Sequence, residues 1–172
     1  MKVKFFAALI PAMFIASSAY AAEGETSTVQ FQGNITEATC SLSTDSRDKA
    51  VDLGSVSSNA FDAGSGATTG GKSFSINLTD CAPSVTTATV TFSGDTTADS
   101  VLKTSQGDIT NVGIQILQDG APLKLDGSQA STAQTLVEGD NALDFTARYI
   151  ALSNSVAAGE ANASASFTLN YE

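Results

Sequence analysis

The chain of 172 residues contains no histidine and no tryptophan, and only eight of its residues are basic. Without histidine it lacks the usual general base of neutral-pH catalysis and the commonest neutral metal ligand. Eighteen acidic residues leave a formal net charge of −10, which argues against a surface that holds nucleic-acid phosphates. Two cysteines alone cannot form a cysteine-rich zinc site. No Gly-x-Ser-x-Gly elbow is present, and no histidine could complete a triad. Asp108, Asp119, Asp126, Asp140 and Asp144 lack the spacing of an EF-hand loop. Most of them stand beside Gly, Asn or Ser and read as turn residues on a solvated face. Neither a cofactor motif nor a metal-ligand set emerges, and the chain does not read as an enzyme.

The first residues form an address. Lys2 and Lys4 precede an apolar stretch from Phe5 to Ala16, which is too short to span a bilayer comfortably. Ala19-Tyr20-Ala21 then offers small residues where a signal peptidase reads them, so residues 1–21 are expected to be a secretory signal. Without Lys2 and Lys4 the remainder is more acidic still. Export also makes Cys40 and Cys81 interpretable. They lie 41 positions apart in a chain that meets an oxidising compartment, which favours a structural disulfide over a redox pair. Closing such a loop stabilises by about 4 kcal/mol in the chain-entropy model.

Beyond the signal the apolar residues alternate. Val29, Phe31, Gly33 and Ile35 share one parity, with Gln30, Gln32 and Asn34 on the other. Val51 and Leu53 suggest a short strand before Gly54. Further runs are Phe74, Ile76 and Leu78; Val90 and Phe92; Val112, Ile114 and Ile116; and Leu143, Phe145, Ala147, Tyr149 and Ala151. The last run is Ala161, Ala163, Ala165, Phe167, Leu169 and Tyr171. Period-two patterning puts one face of each strand in a core and the other in water. Asp119-Gly120, Asp126-Gly127-Ser128 and Glu138-Gly139-Asp140-Asn141 supply turns between the runs. About seven short strands at this length predict an all-β sandwich of immunoglobulin-like type, with residues 54–71 as a long loop. The segment 22–34 also alternates in its second half and would reach about 43 Å when extended. It reads either as a first strand with a frayed start or as a strand meant for another molecule.

Several segments resemble the subunits of chaperone–usher fimbriae, in particular type 1-like major pilins. Val29-Gln30-Phe31-Gln32-Gly33-Asn34-Ile35 is similar to that family's N-terminal extension. Ala38-Thr39-Cys40 and Asn77-Leu78-Thr79-Asp80-Cys81 resemble its two cysteine motifs. Val51-Asp52-Leu53-Gly54 resembles the following strand and turn, and Phe145-Thr146-Ala147-Arg148-Tyr149 a late strand. Gly159 is fourteenth from the end and Tyr171 penultimate, as in the family's C-terminal zipper. Residues 54–71 and 93–111 match least.

The resemblance implies an incomplete immunoglobulin-like sandwich that lacks its seventh strand. A periplasmic chaperone fills the open groove first, and a donor strand from a neighbouring subunit replaces it. Residues 1–21 would then be the signal, 22–34 the donor extension and 35–172 the pilin domain. Val29, Phe31, Gly33 and Ile35 would enter the neighbour's groove. Gly159, Ala163, Ala165, Phe167, Leu169 and Tyr171 would form the acceptor and chaperone-binding strand. Implied partners are identical subunits in a homopolymer, the chaperone, an outer-membrane usher and other fimbrial subunits. The implied location is the cell surface, reached through the periplasm. A minor, tip or adaptor subunit with a binding role is the alternative.

Overall fold

The computed structural model describes residues 28–33, 39–98, 100–104 and 111–172. The expected signal peptide, Asn34 and Ile35 lie outside these. The chain divides into two units, Met1–Ile35 and Thr36–Glu172. In the first, residues 28–33 carry no regular secondary structure and are exposed.

The second unit is an all-β sandwich. Its larger sheet contains β1 (Ser41–Leu42), β2 (Lys72–Cys81), β4 (Thr96–Ala98), β5 (Val101–Lys103), β6 (Val112–Gln118), β7 (Ala121–Pro122) and β9 (Gly139–Ala151). The order is β1-β2-β9-β6-β5-β4, with β7 also on β6. The smaller sheet is β10-β3-β8, from β3 (Thr87–Gly94), β8 (Gln134–Thr135) and β10 (Ala165–Tyr171). A one-turn helix, α1 (Thr44–Arg47), follows β1.

The alternation in the sequence is what the two sheets share. Ile76 of β2 faces Leu143 of β9 across an antiparallel ladder, and Leu78 and Phe145 lie two residues along on the same faces. Ala88, Val90 and Phe92 of β3 meet them from the other sheet, and all are buried. Phe92 packs edge-on to Phe145 with centroids 5.2 Å apart. Leu125 and Leu136, from connections between strands, complete the core. Burying each such side chain contributes about 1.5–3 kcal/mol. Asp119 and Gly120 both take positive φ, at 51° and 81°, and close the two-residue turn between Gln118 and Ala121. That conformation is the hairpin turn Asp-Gly favours.

Two strand expectations are corrected. Val51 and Leu53 belong to no strand: the segment 51–57 is irregular. The last ladder starts at Ala165, not Ala161, although odd residues from Ala161 to Tyr171 remain the more buried ones throughout. The expected long loop holds a 3-10 turn at Ser58–Phe61, which sends Phe61 inward to 5% exposure.

Cys40 and Cys81 are bonded, with their Cα atoms 4.0 Å apart. The bond joins the entry to β1 with the end of β2, two neighbours in one sheet. β1 pairs only two residues with β2, so the covalent link holds a short edge that the ladder alone holds weakly. Replacing both cysteines by alanine should lower the stability of the soluble subunit by about 2–4 kcal/mol. Urea unfolding of the oxidised protein and the double variant measures this, and an unchanged midpoint would refute a stabilising role.

Candidate functional site: an open groove beside the last strand

β10 is hydrogen-bonded to β3 along its whole length, from Ala165 opposite Gly94 to Tyr171 opposite Ala88. Its other edge has no strand partner among the described residues. Ala165, Phe167, Leu169 and Tyr171 point to the core side but stay only half-buried, whereas the matching residues Val90 and Phe92 of β3 are buried. Such a row of unpaired backbone groups beside apolar side chains is avoided in a closed sandwich.

The reason is a groove of about 650 Å³ between the sheets. Phe74, Ile76, Ile114, Ile116, Phe92 and Ala147 line its depth. Residues 163–167 form one wall, and Leu42, Val51 and Leu53 stand on the other with Arg47, Asp48 and Lys49. The second wall departs from the sheet through local hydrogen bonding. The Ser43 amide donates to the Asn77 carbonyl (3.0 Å), the last step of the β1–β2 pairing. The chain then turns into α1, and the fully buried Ser46 hydroxyl accepts from the Asn77 amide (2.9 Å) in place of a strand carbonyl. Asp45 secures the turn: it accepts from the Ser43 hydroxyl (2.6 Å) and the Asn77 side-chain amide (3.0 Å). These hydrogen bonds, and then Lys49 at 3.6 Å, hold its carboxyl below the usual range. Leaving the ladder at this point, the wall cannot close on β10.

At its far end the groove meets a second depression of about 450 Å³, lined by Gly54, Val56, Phe61, Val112, Tyr149 and residues 156–162. The two adjoin at Leu53–Gly54 and Asn162–Ala163, and Tyr149 lines the depression. Its hydroxyl donates to the Ala161 carbonyl (3.2 Å), tying β9 to the segment that leads into β10. Burial, and secondarily the Asp52 carboxylate, push the Tyr149 phenol above its ordinary value. Gly94 allows the close approach here. A Cβ on it would lie 2.6 Å from Leu102 Cδ2 and 3.0 Å from the Ser164 carbonyl.

The residues expected to form the acceptor strand are distributed as follows. Ala163, Ala165 and Phe167 line the groove. Leu169 and Tyr171 continue the same face, packed against the core. Gly159 lies outside the strand and lines the second depression. Sequence reasoning missed Tyr149 as a tie and Leu42, Arg47 and Lys49 as wall residues. It found Val51 and Leu53 by their alternation but assigned them to a strand. Of the expected donor residues, Val29 is 71% exposed and Phe31 93% exposed. A Cβ added to Gly33 would touch nothing within 4 Å. Among the described residues no cluster of acidic or cysteine side chains could hold a metal ion.

Comparison with known proteins places this geometry. Residues 29–172 match the family model described as Fimbrial protein. The uncharacterized fimbrial-like protein SfmA of Escherichia coli K12 is 42% identical over the full length of both chains. The fimbrial subunit type 1 of Salmonella typhimurium is 43% identical over 93% of each. Among solved structures, the P pilus rod subunit PapA aligns with a TM-score of 0.67 at 26% identity, covering 78% of this chain and 100% of that one. This chain belongs to the fimbrial protein family.

Proposed function

We propose that this protein is the structural subunit of a surface fimbria and that it polymerises head to tail by donor-strand exchange. The export to the cell surface and the association with other fimbrial subunits follow the family. The observation that carries the joint itself is the unfilled groove beside the unpaired edge of β10. The chain also holds a spare alternating segment whose Val29 and Phe31 are exposed. A strand entering the groove would pair with the free backbone groups of β10 and cover Phe167 with alternate side chains, as in strand addition generally. Val29, Phe31 and Ile35 supply those side chains, and Gly33 falls in register between the last two. The same groove suits a strand from a periplasmic chaperone before assembly, with an outer-membrane usher as the site of exchange. Donor and acceptor are different surfaces of one subunit, so the contact is heterologous, and it builds a filament where the rotation between neighbours does not close a ring.

Two experiments address this reading. Residues 22–35 grafted after Glu172 through a short flexible linker should fill the groove from within the same molecule. Burial of Val29, Phe31 and Ile35 should then raise stability by at least about 3 kcal/mol, seen as a higher urea midpoint. A graft that unfolds no later than the unmodified subunit would defeat the donor-strand account.

The second experiment tests parity. Gly33→Val places a side chain where the donor faces the groove, and overpacking costs about 1–3 kcal/mol at a single register point. Slipping by one residue would instead turn Gln30, Gln32 and Asn34 inward. Gly33→Val should therefore abolish fibres while leaving the disulfide-bonded subunit soluble in the periplasm. Gln32→Val, of opposite parity, should assemble at close to the normal level, as counted by electron microscopy. Normal fibres from Gly33→Val with failure of Gln32→Val would reverse the parity.

A further inference from the structure

Val56 and Val137 are the large hydrophobic residues that the described part of the pilin domain leaves exposed, at 39% and 63%. They lie at opposite poles. One pole carries the disulfide: β2 ends at Cys81, β3 starts at Thr87, and Tyr171 pairs with Ala88, so these ends of both sheets coincide. Gly139 pairs with Cys81, which puts Val137, two residues earlier, at that corner. β9 then runs the length of the domain to Ala151, opposite Val112, at the other pole. Val112 lines the second depression, and so does Val56.

Val137 is held outward by a braced loop. Its amide donates to Asn141 Oδ1 (2.9 Å), and Asn141 Nδ2 donates to its carbonyl (2.7 Å). On the preceding residue, the buried Leu136 anchors the loop through an amide that donates to the Thr86 carbonyl (2.8 Å). A fixed apolar side chain standing in water between Glu138 and the buried Leu136 has no role within the subunit.

We infer that Val137 of each subunit packs on the Val56 rim of the second depression of a second copy of this chain, as a contact separate from the donor strand. The inference rests on the donor-strand reading, because that reading fixes which poles meet. The extension precedes Cys40 in sequence, and the described domain begins at the disulfide pole, with Thr39 and Cys40. Parallel entry beside β10 would bring it out at the neighbour's disulfide pole, so each subunit would donate and accept at one crowded end. Antiparallel entry brings it out at the opposite pole, and the addition can repeat. Four residues separate Ile35 from Cys40, and the five steps between them span at most about 18 Å. The disulfide pole of one subunit thus sits against the Val56 pole of the next. Ile35 enters the inner end beside Tyr149, and the rim at Val56, Val156 and Ala157 is left for Val137.

The test uses the full-length chain in cells that carry its assembly system, with sheared surface fibre and soluble disulfide-bonded subunit both quantified. Val137→Glu sets a carboxylate against an apolar rim and should lower fibre yield about tenfold while the soluble subunit persists. Val56→Lys should do the same, and the two changes together should return the yield to within about twofold of normal, through a new ion pair at a desolvated contact. Val137→Ser replaces Val137→Glu if the glutamate variant does not accumulate, and should lower the yield in the same direction. Single variants that assemble normally, or a pair that fails to recover, overturn the contact. Gly33→Val run alongside separates the two readings. If it blocks fibres while the valine variants assemble, the pole contact alone is wrong. If Gly33→Val and Gln32→Val both assemble normally, the donor-strand reading falls and the contact falls with it.

Discussion

The free edge of β10 is the constraint on which the rest of the structure depends. A strand bonded on one side only, with Phe167 and its neighbours half-buried, leaves backbone donors and acceptors to water and apolar surface uncovered. The domain tolerates this because β10 is secured elsewhere. Beyond Tyr171 the Glu172 amide donates to the Thr87 carbonyl, and the Thr86 and Thr87 amides donate back to Glu172. At the other end Tyr149 holds Ala161. The strand is thus fixed at both ends while its flank stays open, which is the geometry a docking strand requires: little in the acceptor must be ordered when the partner arrives.

The groove's opposite wall obeys the same logic with different means. A continuous strand after β1 could have run along β2 and approached β10. Ser46 prevents it by supplying its hydroxyl to the Asn77 amide at full burial, so the backbone can leave the ladder without orphaning a donor. The disulfide then holds the short remnant of β1 in place. Helix turn and disulfide together keep a wall that is anchored but not zipped.

Much of this was legible in the sequence, and for a physical reason. Period-two alternation reports which face of a strand is buried, and Phe74, Ile76, Leu143, Phe145, Val90 and Phe92 all lie where their parity puts them. Parity also held for Ala161 and Ala163, where the hydrogen bonds did not, because burial depends on side-chain direction and a ladder depends on a neighbouring backbone. The same distinction explains Val51 and Leu53. They alternate because they line the groove, not because they pair. Side-chain hydrogen bonds such as those of Ser46 and Tyr149 leave no periodic signal, since each depends on a partner distant in sequence. Resemblance to a family supplied what periodicity could not: the proposal that a strand from outside the domain pairs with the free edge of β10.

The charge of the chain bears on what kind of joint can hold a polymer of it. With a formal net charge of −10, neighbouring subunits repel on average. Among the described residues Lys49 pairs with Asp45, and that pair lies within the subunit. Net charge therefore opposes cohesion rather than driving it. Repulsion between exposed charges is screened beyond about 8 Å at physiological ionic strength, so it sets a modest, uniform opposition rather than a barrier. Cohesion has to come from interactions that act at contact and do not depend on charge: backbone hydrogen bonds along β10 and burial of apolar side chains in the groove. Both grow with the length of the inserted strand, and both are lost together if its register slips by one residue. The same charge opposes non-specific association of copies that are not joined by a strand.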